Sequence, residues 1–149
     1  MSQIRILANE EICIGCHLCE VHCLVEHSRS RQIIKAFKRE KPRALARVRV
    51  EENRPTSVAI QCHHCSEPMC VYACLTGAMQ KDPETGIVTS DPSRCMGCWT
   101  CIMVCPYGAP VRDESAGIVV KCDLCSHRIT PACVAHCPNE ALTLVKVEP

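Results

Sequence analysis

The chain is poor in the residues that build an ordinary hydrophobic core. Of its 149 residues only four are aromatic: Phe37, Tyr72, Trp99 and Tyr107. A chain this short with so few large side chains makes a thin apolar core, so something besides apolar burial must hold it together. Long hydrophobic runs are also missing. No segment approaches the roughly 18 apolar residues of a transmembrane helix, which argues against a direct membrane span. The opening residues, "MSQIRILANEEICIGC", hold no apolar signal-peptide core, and the expected setting is therefore the reducing cytoplasm. The marks of substrate chemistry are absent too. There is no Ser/His/Asp set, phosphate loop or G-x-G-x-x-G, so the chain is expected to have no catalytic residues and not to be an enzyme in its own right.

What the chain has is cysteine, sixteen of them. That is above the level that marks a cysteine-built scaffold. In a reducing compartment such spacings point to metal rather than disulfides. The cysteines fall into four groups of four with none left over. They are Cys13, Cys16, Cys19 and Cys23; Cys62, Cys65, Cys70 and Cys74; Cys95, Cys98, Cys101 and Cys105; and Cys122, Cys125, Cys133 and Cys137. Every group begins C-x2-C and ends C-x3-C, and only the middle spacing varies.

Three cysteines in a tight loop can wrap one face of an iron–sulfur cubane. The fourth follows at helical spacing, a rise of about 6 Å, so its thiolate tends to point away from the first three. In two-cluster bacterial ferredoxins the fourth cysteine ligates the other cluster. Crossed ligand sets and [4Fe-4S] clusters are therefore expected here. Pro106 and Pro138 follow the fourth cysteine of groups three and four, where proline stops a helix. Leu24 and Leu75 follow it in groups one and two, leaving a helix free to continue. Zinc is the alternative, since a four-thiolate zinc site needs only two C-x2-C pairs. On that reading the chain is a zinc-stabilised interaction module.

The stretches between groups repeat as well. "GAMQKDPETGIVTSDPSRC" reads as strand, turn at 82–86 and strand at 87–89. "GAPVRDESAGIVVKC" reads the same way, with its turn at 113–117 and a strand at 118–120. Asp/Gly/Pro clusters between short β-branched runs are hairpin signals. "IRILANEEIC" and "NEALTLVKV" add strands at the two ends. The fold class expected is α+β, a ferredoxin-like unit written twice.

The segments "CIGCHLCEVHC", "ACLTGAM", "CMGCWTCIMVCPYGA" and "ACVAHCPNEAL" resemble those of the four-cluster iron–sulfur subunits of the dimethyl sulfoxide reductase, formate dehydrogenase and hydrogenase type. The likeness covers nearly the whole chain and is strongest to the CooF-type small subunit that accompanies carbon monoxide dehydrogenase. The resemblance implies four [4Fe-4S] clusters with nested ligand sets. One takes Cys13, Cys16, Cys19 and Cys137, and its neighbour takes Cys122, Cys125, Cys133 and Cys23. The other two take Cys62, Cys65 and Cys70 with Cys105, and Cys95, Cys98 and Cys101 with Cys74. Residues 1–27 with 117–149 would form one ferredoxin-like unit and 58–116 the second, with 28–57 as a basic connector. The implied role is single-electron transfer between a catalytic partner and an acceptor. Carbon monoxide dehydrogenase is the favoured partner, with a tungsten aldehyde oxidoreductase, a hydrogenase or a formate dehydrogenase as alternatives. A flavin-dependent NAD(P) oxidoreductase is the implied acceptor.

Charge adds one asymmetry. Residues 28–50 hold nine of the seventeen Lys and Arg and a single acid, Glu40. The formal +1 of the chain counts cysteines as neutral. Sixteen thiolates on four dipositive cores would bring it to about −7. The basic segment is thus either a docking arm for an acidic partner or a solvated connector. Nucleic acid is not expected, since the segment has one aromatic and no recognition motif. Seven histidines, His17, His22, His27, His63, His64, His127 and His136, lie near or within the groups. With four thiols already in every group, they are expected mostly at the surface, a few donating hydrogen bonds to sulfur.

Overall fold

The computed structural model describes residues 3–147. The first and last strands lie together: β1 (Gln3–Ala8) pairs antiparallel with β8 (Leu142–Val147), Ala8 opposite Leu142 and Ile6 opposite Leu144. Successive strand residues face opposite sides, and Ile6 is fully buried while Leu7 is exposed. α1 (Leu18–Glu26) packs against α5 (Ala132–Ala135), a second link between the first and last parts of the chain.

The middle of the chain carries two short hairpins. One joins β4 (Met79–Lys81) to β5 (Val88–Ser90), and the other joins β6 (Val111–Asp113) to β7 (Ile118–Val120). Their turns are closed by aspartate. Asp82 accepts N–H bonds from Glu84 and Thr85, and Asp113 does so from Ser115 and Ala116. This is the local bonding that makes Asp a turn residue. The short helices α3 (Met69–Tyr72) and α4 (Thr100–Met103) pack on each other.

Residues 28–57, read from sequence as a connector, have more structure than that. They contain α2 (Ile33–Lys38), β2 (Arg49–Asn53) and the start of β3 (Thr56–Ile60), which forms a hairpin with β2. The helix expectations divide. α1 runs past Cys23 to Glu26, whereas α3 stops at Tyr72 and the chain turns through Cys74 to Gly77, which has φ +65°.

The core is thin, as the composition implies, and cysteine makes up much of it. Cys19, Cys23, Cys62, Cys122 and Cys133 pack with Ile6, Val48, Ala59, Leu124 and Leu142, while Cys101 packs with Met79 and Val119. No helix among the described residues is long and apolar enough to cross a membrane.

Candidate metal centre

The four cysteine loops share a backbone feature that only half of them advertise. The residue just before the second cysteine has positive φ in every group: Gly15 at +63°, His64 at +47°, Gly97 at +70° and Leu124 at +56°. Glycine takes this conformation freely, but it strains a side-chain-bearing residue. The turn folds each C-x2-C back on itself. At His64 and Leu124 it aims the backbone N–H at the sulfur two residues earlier, Cys62 and Cys122, each at 3.4 Å.

Fourth cysteines lie beside other groups' loops. Cys13, Cys16, Cys19 and Cys137 line one cavity. Cys62, Cys65, Cys70 and Cys105 line a second, together with Lys121. The thiols that perturb Cys101 are Cys70, Cys95, Cys98 and Cys74. Those that perturb Cys133 are Cys122, Cys23, Cys125 and Cys19. All sixteen are free thiols. Only Cys16 and Cys98 are exposed.

Further backbone N–H groups point at sulfur: Arg47 to Cys23 at 3.2 Å, and Met79 to Cys74, Val119 to Cys95 and Ala109 to Cys105 at 3.4 Å each. Such donors favour the thiolate, and burial opposes it. Burial pushes Cys19 and Cys122 up to about 12 and Cys101 up to about 11, and it raises Cys133 as well. Exposed Cys98 is lowered, chiefly by its hydrogen bond from Thr100. Without a cation, burial keeps Cys19, Cys101, Cys122 and Cys133 protonated at neutral pH.

The donor set fits an iron–sulfur group. Every cavity-lining quartet is all thiol, and His64 adds a second sign. Its Nδ1 accepts the Val88 N–H at 3.0 Å, so the neutral ring carries its proton on Nε2. Burial, with help from the Lys121 charge, holds the ring down to about 3, and it is neutral. That Nε2–H is buried and has no partner among the described residues. His64 stands between Cys62 and Cys65 in the sequence, and its open donor has no acceptor among the described residues.

The histidines are less superficial than the sequence reading has them. His64 is buried, His27 is mostly so, His22 stacks on His136 at 3.5 Å and His63 stacks on Tyr107 at 4.0 Å. His27 belongs to a brace that sequence reasoning did not find. Its Nε2 meets Asp123 Oδ1 at 3.2 Å, Arg47 donates to Asp123 Oδ2 at 2.8 Å, and the His27 ring lies 3.8 Å from Cys23 Sγ. Burial pushes the Asp123 carboxyl up, but His27 and Arg47 outweigh it and hold the group below the usual carboxylate range. His27, Asp123 and Cys125 present donor atoms within 4.8 Å of one another. Both Asp123 oxygens are already engaged, so the trio is a brace rather than a separate metal site.

The basic segment is partly spent inside the fold. Arg47 serves that brace, Arg49 donates to the Gly108 carbonyl, and Arg43 lies 5.1 Å over the Phe37 ring. Arg31, Lys35, Lys38 and Arg39 remain exposed.

Residues 55–147 match the model of the 4Fe-4S dicluster domain. The chain belongs to the 4Fe-4S dicluster family. The chain therefore carries [4Fe-4S] clusters, and its count of sixteen cysteines is consistent with four. The chain is 37% identical to an "iron-sulfur protein" of Rhodospirillum rubrum, over 97% of this chain and 83% of the relative. It is 36% identical to the electron transport protein HydN of Escherichia coli K12, over 94% and 86%. It is 33% identical to the thiosulfate reductase electron transfer subunit PhsB of Salmonella typhi, over 99% and 78%. Among solved structures, a chain of the active site complex BamBC of benzoyl coenzyme A reductase shares the fold. The TM-score is 0.55 at 24% identity, covering 100% of this chain and 82% of that one.

Proposed function

We propose that this dicluster protein is the electron-transfer subunit of an oxidoreductase complex, carrying four [4Fe-4S] clusters on crossed cysteine sets. The sets are Cys13, Cys16, Cys19 with Cys137; Cys122, Cys125, Cys133 with Cys23; Cys62, Cys65, Cys70 with Cys105; and Cys95, Cys98, Cys101 with Cys74. When bound, the clusters take up and release single electrons. The observation that carries the reading is the second cavity, where a thiol from the third group, Cys105, sits with three thiols of the second. The β1–β8 pairing and the α1–α5 packing support nesting, with 1–27 and 117–149 enclosing the second unit.

The chain's own residues do the rest. Backbone N–H groups steady the ligand sulfurs, and burial keeps water from the set of Cys23, Cys122, Cys125 and Cys133. Cys16 and Cys98 open the two outer sets to the surface beside exposed Ile14 and Met96. These are the places where electrons can enter and leave. The relatives named as electron transport or electron transfer proteins support a non-catalytic role. The favoured partner is carbon monoxide dehydrogenase, with a flavin-dependent NAD(P) oxidoreductase as acceptor. An aldehyde oxidoreductase, hydrogenase or formate dehydrogenase would use the same chain in the same way. Native pull-down with mass spectrometry, followed by electron transfer from the captured enzyme, tests the role. Capture of an enzyme that cannot reduce the chain would sink it.

A further inference from the structure

Lys121 is a buried cation with an unusual set of neighbours. It follows β7 and directly precedes Cys122, yet its side chain reaches into the cavity lined by Cys62, Cys65, Cys70 and Cys105. Its relative exposure is 2%. Its Nζ donates to the Val88 carbonyl and, at 3.1 Å, to the Cys122 carbonyl. Among the described residues no carboxylate bridges to it. The Val88 peptide is held from both sides, its C=O by Lys121 and its N–H by neutral His64. Burying an ammonium group without a counter-charge is expensive. The groups placed to balance it are the thiolates of Cys62, Cys65, Cys70 and Cys105, whose cavity it lines, and Cys122, which follows it in the chain. Its counter-charge is therefore sulfur, at the place where the second and fourth cysteine groups meet.

We propose that Lys121 raises the reduction potential of the cluster held by Cys62, Cys65, Cys70 and Cys105. The inference rests on the ligand sets proposed above. Reduction adds one negative charge to a cluster, and a fixed cation beside it favours the reduced form. Even at about 10 Å, in a medium of effective dielectric about 20, one unit charge shifts a one-electron equilibrium about tenfold. Lys121 is a positioning residue in this role. It touches the cavity, supplies no ligand and needs no proton transfer. The effect makes the inner cluster beside it a resting place for an electron, away from the exposed Cys16 and Cys98.

The test is a reductive titration followed by EPR on the cluster-loaded chain. It uses K121Q, which keeps a donor but loses the charge, K121M, which loses both, and K121R, which keeps the charge. In the neutral variants one cluster should become harder to reduce by tenfold or more in its equilibrium constant, about 59 mV for one electron. K121R should stay near the parent, and iron content should not change. Unshifted potentials in K121Q and K121M overturn the proposal. So does an equal shift in K121R, which would assign the residue to packing. Loss of iron from the neutral variants also overturns it, because the charge would then serve assembly rather than potential. The C105A variant tests the ligand reading separately. A shift in K121Q on a signal that C105A leaves intact keeps the cation's effect but corrects the set. No shift, with that signal lost in C105A, keeps the set and rejects the cation.

Discussion

Gly97→Ala should damage the outer cluster site far more than another glycine of the same backbone conformation. Gly97 sits at φ +70° beside Cys98, and a Cβ there would lie 2.5 Å from the Gly117 carbonyl oxygen. Gly77 has φ +65°, and its Cβ would meet nothing within 4 Å. Both variants incur the left-handed penalty, about 1–2 kcal/mol for a residue with a side chain. Only Gly97→Ala also drives the β6–β7 turn away, by about 0.9 Å to go from 2.5 Å to the 3.4 Å of ordinary contact. That hairpin is tied to the site, because Val119 N–H donates to Cys95 Sγ and Arg112 lies 4.5 Å over the Trp99 ring. Loosening the first of these costs about 1 kcal/mol more. The expected totals are about 1–2 kcal/mol for Gly77→Ala and 2–3 for Gly97→Ala, a difference of several-fold in the equilibrium that opens the site. The assay is the rate at which a chelator bleaches the visible absorption of the loaded protein under anaerobic conditions. Gly97→Ala bleaching no faster than Gly77→Ala would refute the coupling between loop and hairpin.

Three further predictions concern the ligands and the surface. Cys105→Ala should remove the signal of the cluster on Cys62, Cys65 and Cys70 and spare the one on Cys95, Cys98 and Cys101. Mössbauer or EPR spectra showing the reverse would break the crossed pairing. Iron retention should fall with pH, because burial holds Cys19 and Cys122 near 12 and Cys101 near 11, so protons compete with iron at these thiols. The same raised values help the iron-free fold below the ordinary thiol value of 9.0, and that help is lost as pH rises toward 11–12. A chelator titration followed at several pH values reads the first effect, and iron retention that does not change between about pH 6 and 9 would contradict it. Reversing Arg31, Lys38 and Arg39 to Glu should slow electron transfer from the purified partner most at low salt, since exposed charges are screened beyond about 8 Å at physiological ionic strength. Iron content should stay constant. Equal rates at low salt would leave the segment a solvated connector.

Much of the fold is legible in the sequence where local chemistry decides it. The Asp-initiated turns at 82 and 113 announce both middle hairpins, and the second strand of the first one lies one residue later than expected, at Val88–Ser90. The β2–β3 hairpin is not legible. Glu51, Glu52, Asn53 and Arg54 are all exposed there, so the run shows no clean alternation of apolar and polar. The site is half legible. Gly15 and Gly97 signal the left-handed turn before the second cysteine, but His64 and Leu124 adopt it against their own preference because the surrounding packing imposes it. Nothing in the sequence marks Lys121 for burial, and in the fold its Nζ is held between the Val88 and Cys122 carbonyls. Arg47 reads as one cation in a basic run, and its link to Asp123 spans 76 residues.

The most direct test of the central claim is a joint count of iron and acid-labile sulfide on the anaerobically purified chain. Sixteen cysteines in four sets predict about sixteen iron and sixteen sulfide per chain, with broad visible absorption that dithionite bleaches. Zinc without sulfide, or about eight iron with half the thiols open to alkylation, would contradict the account.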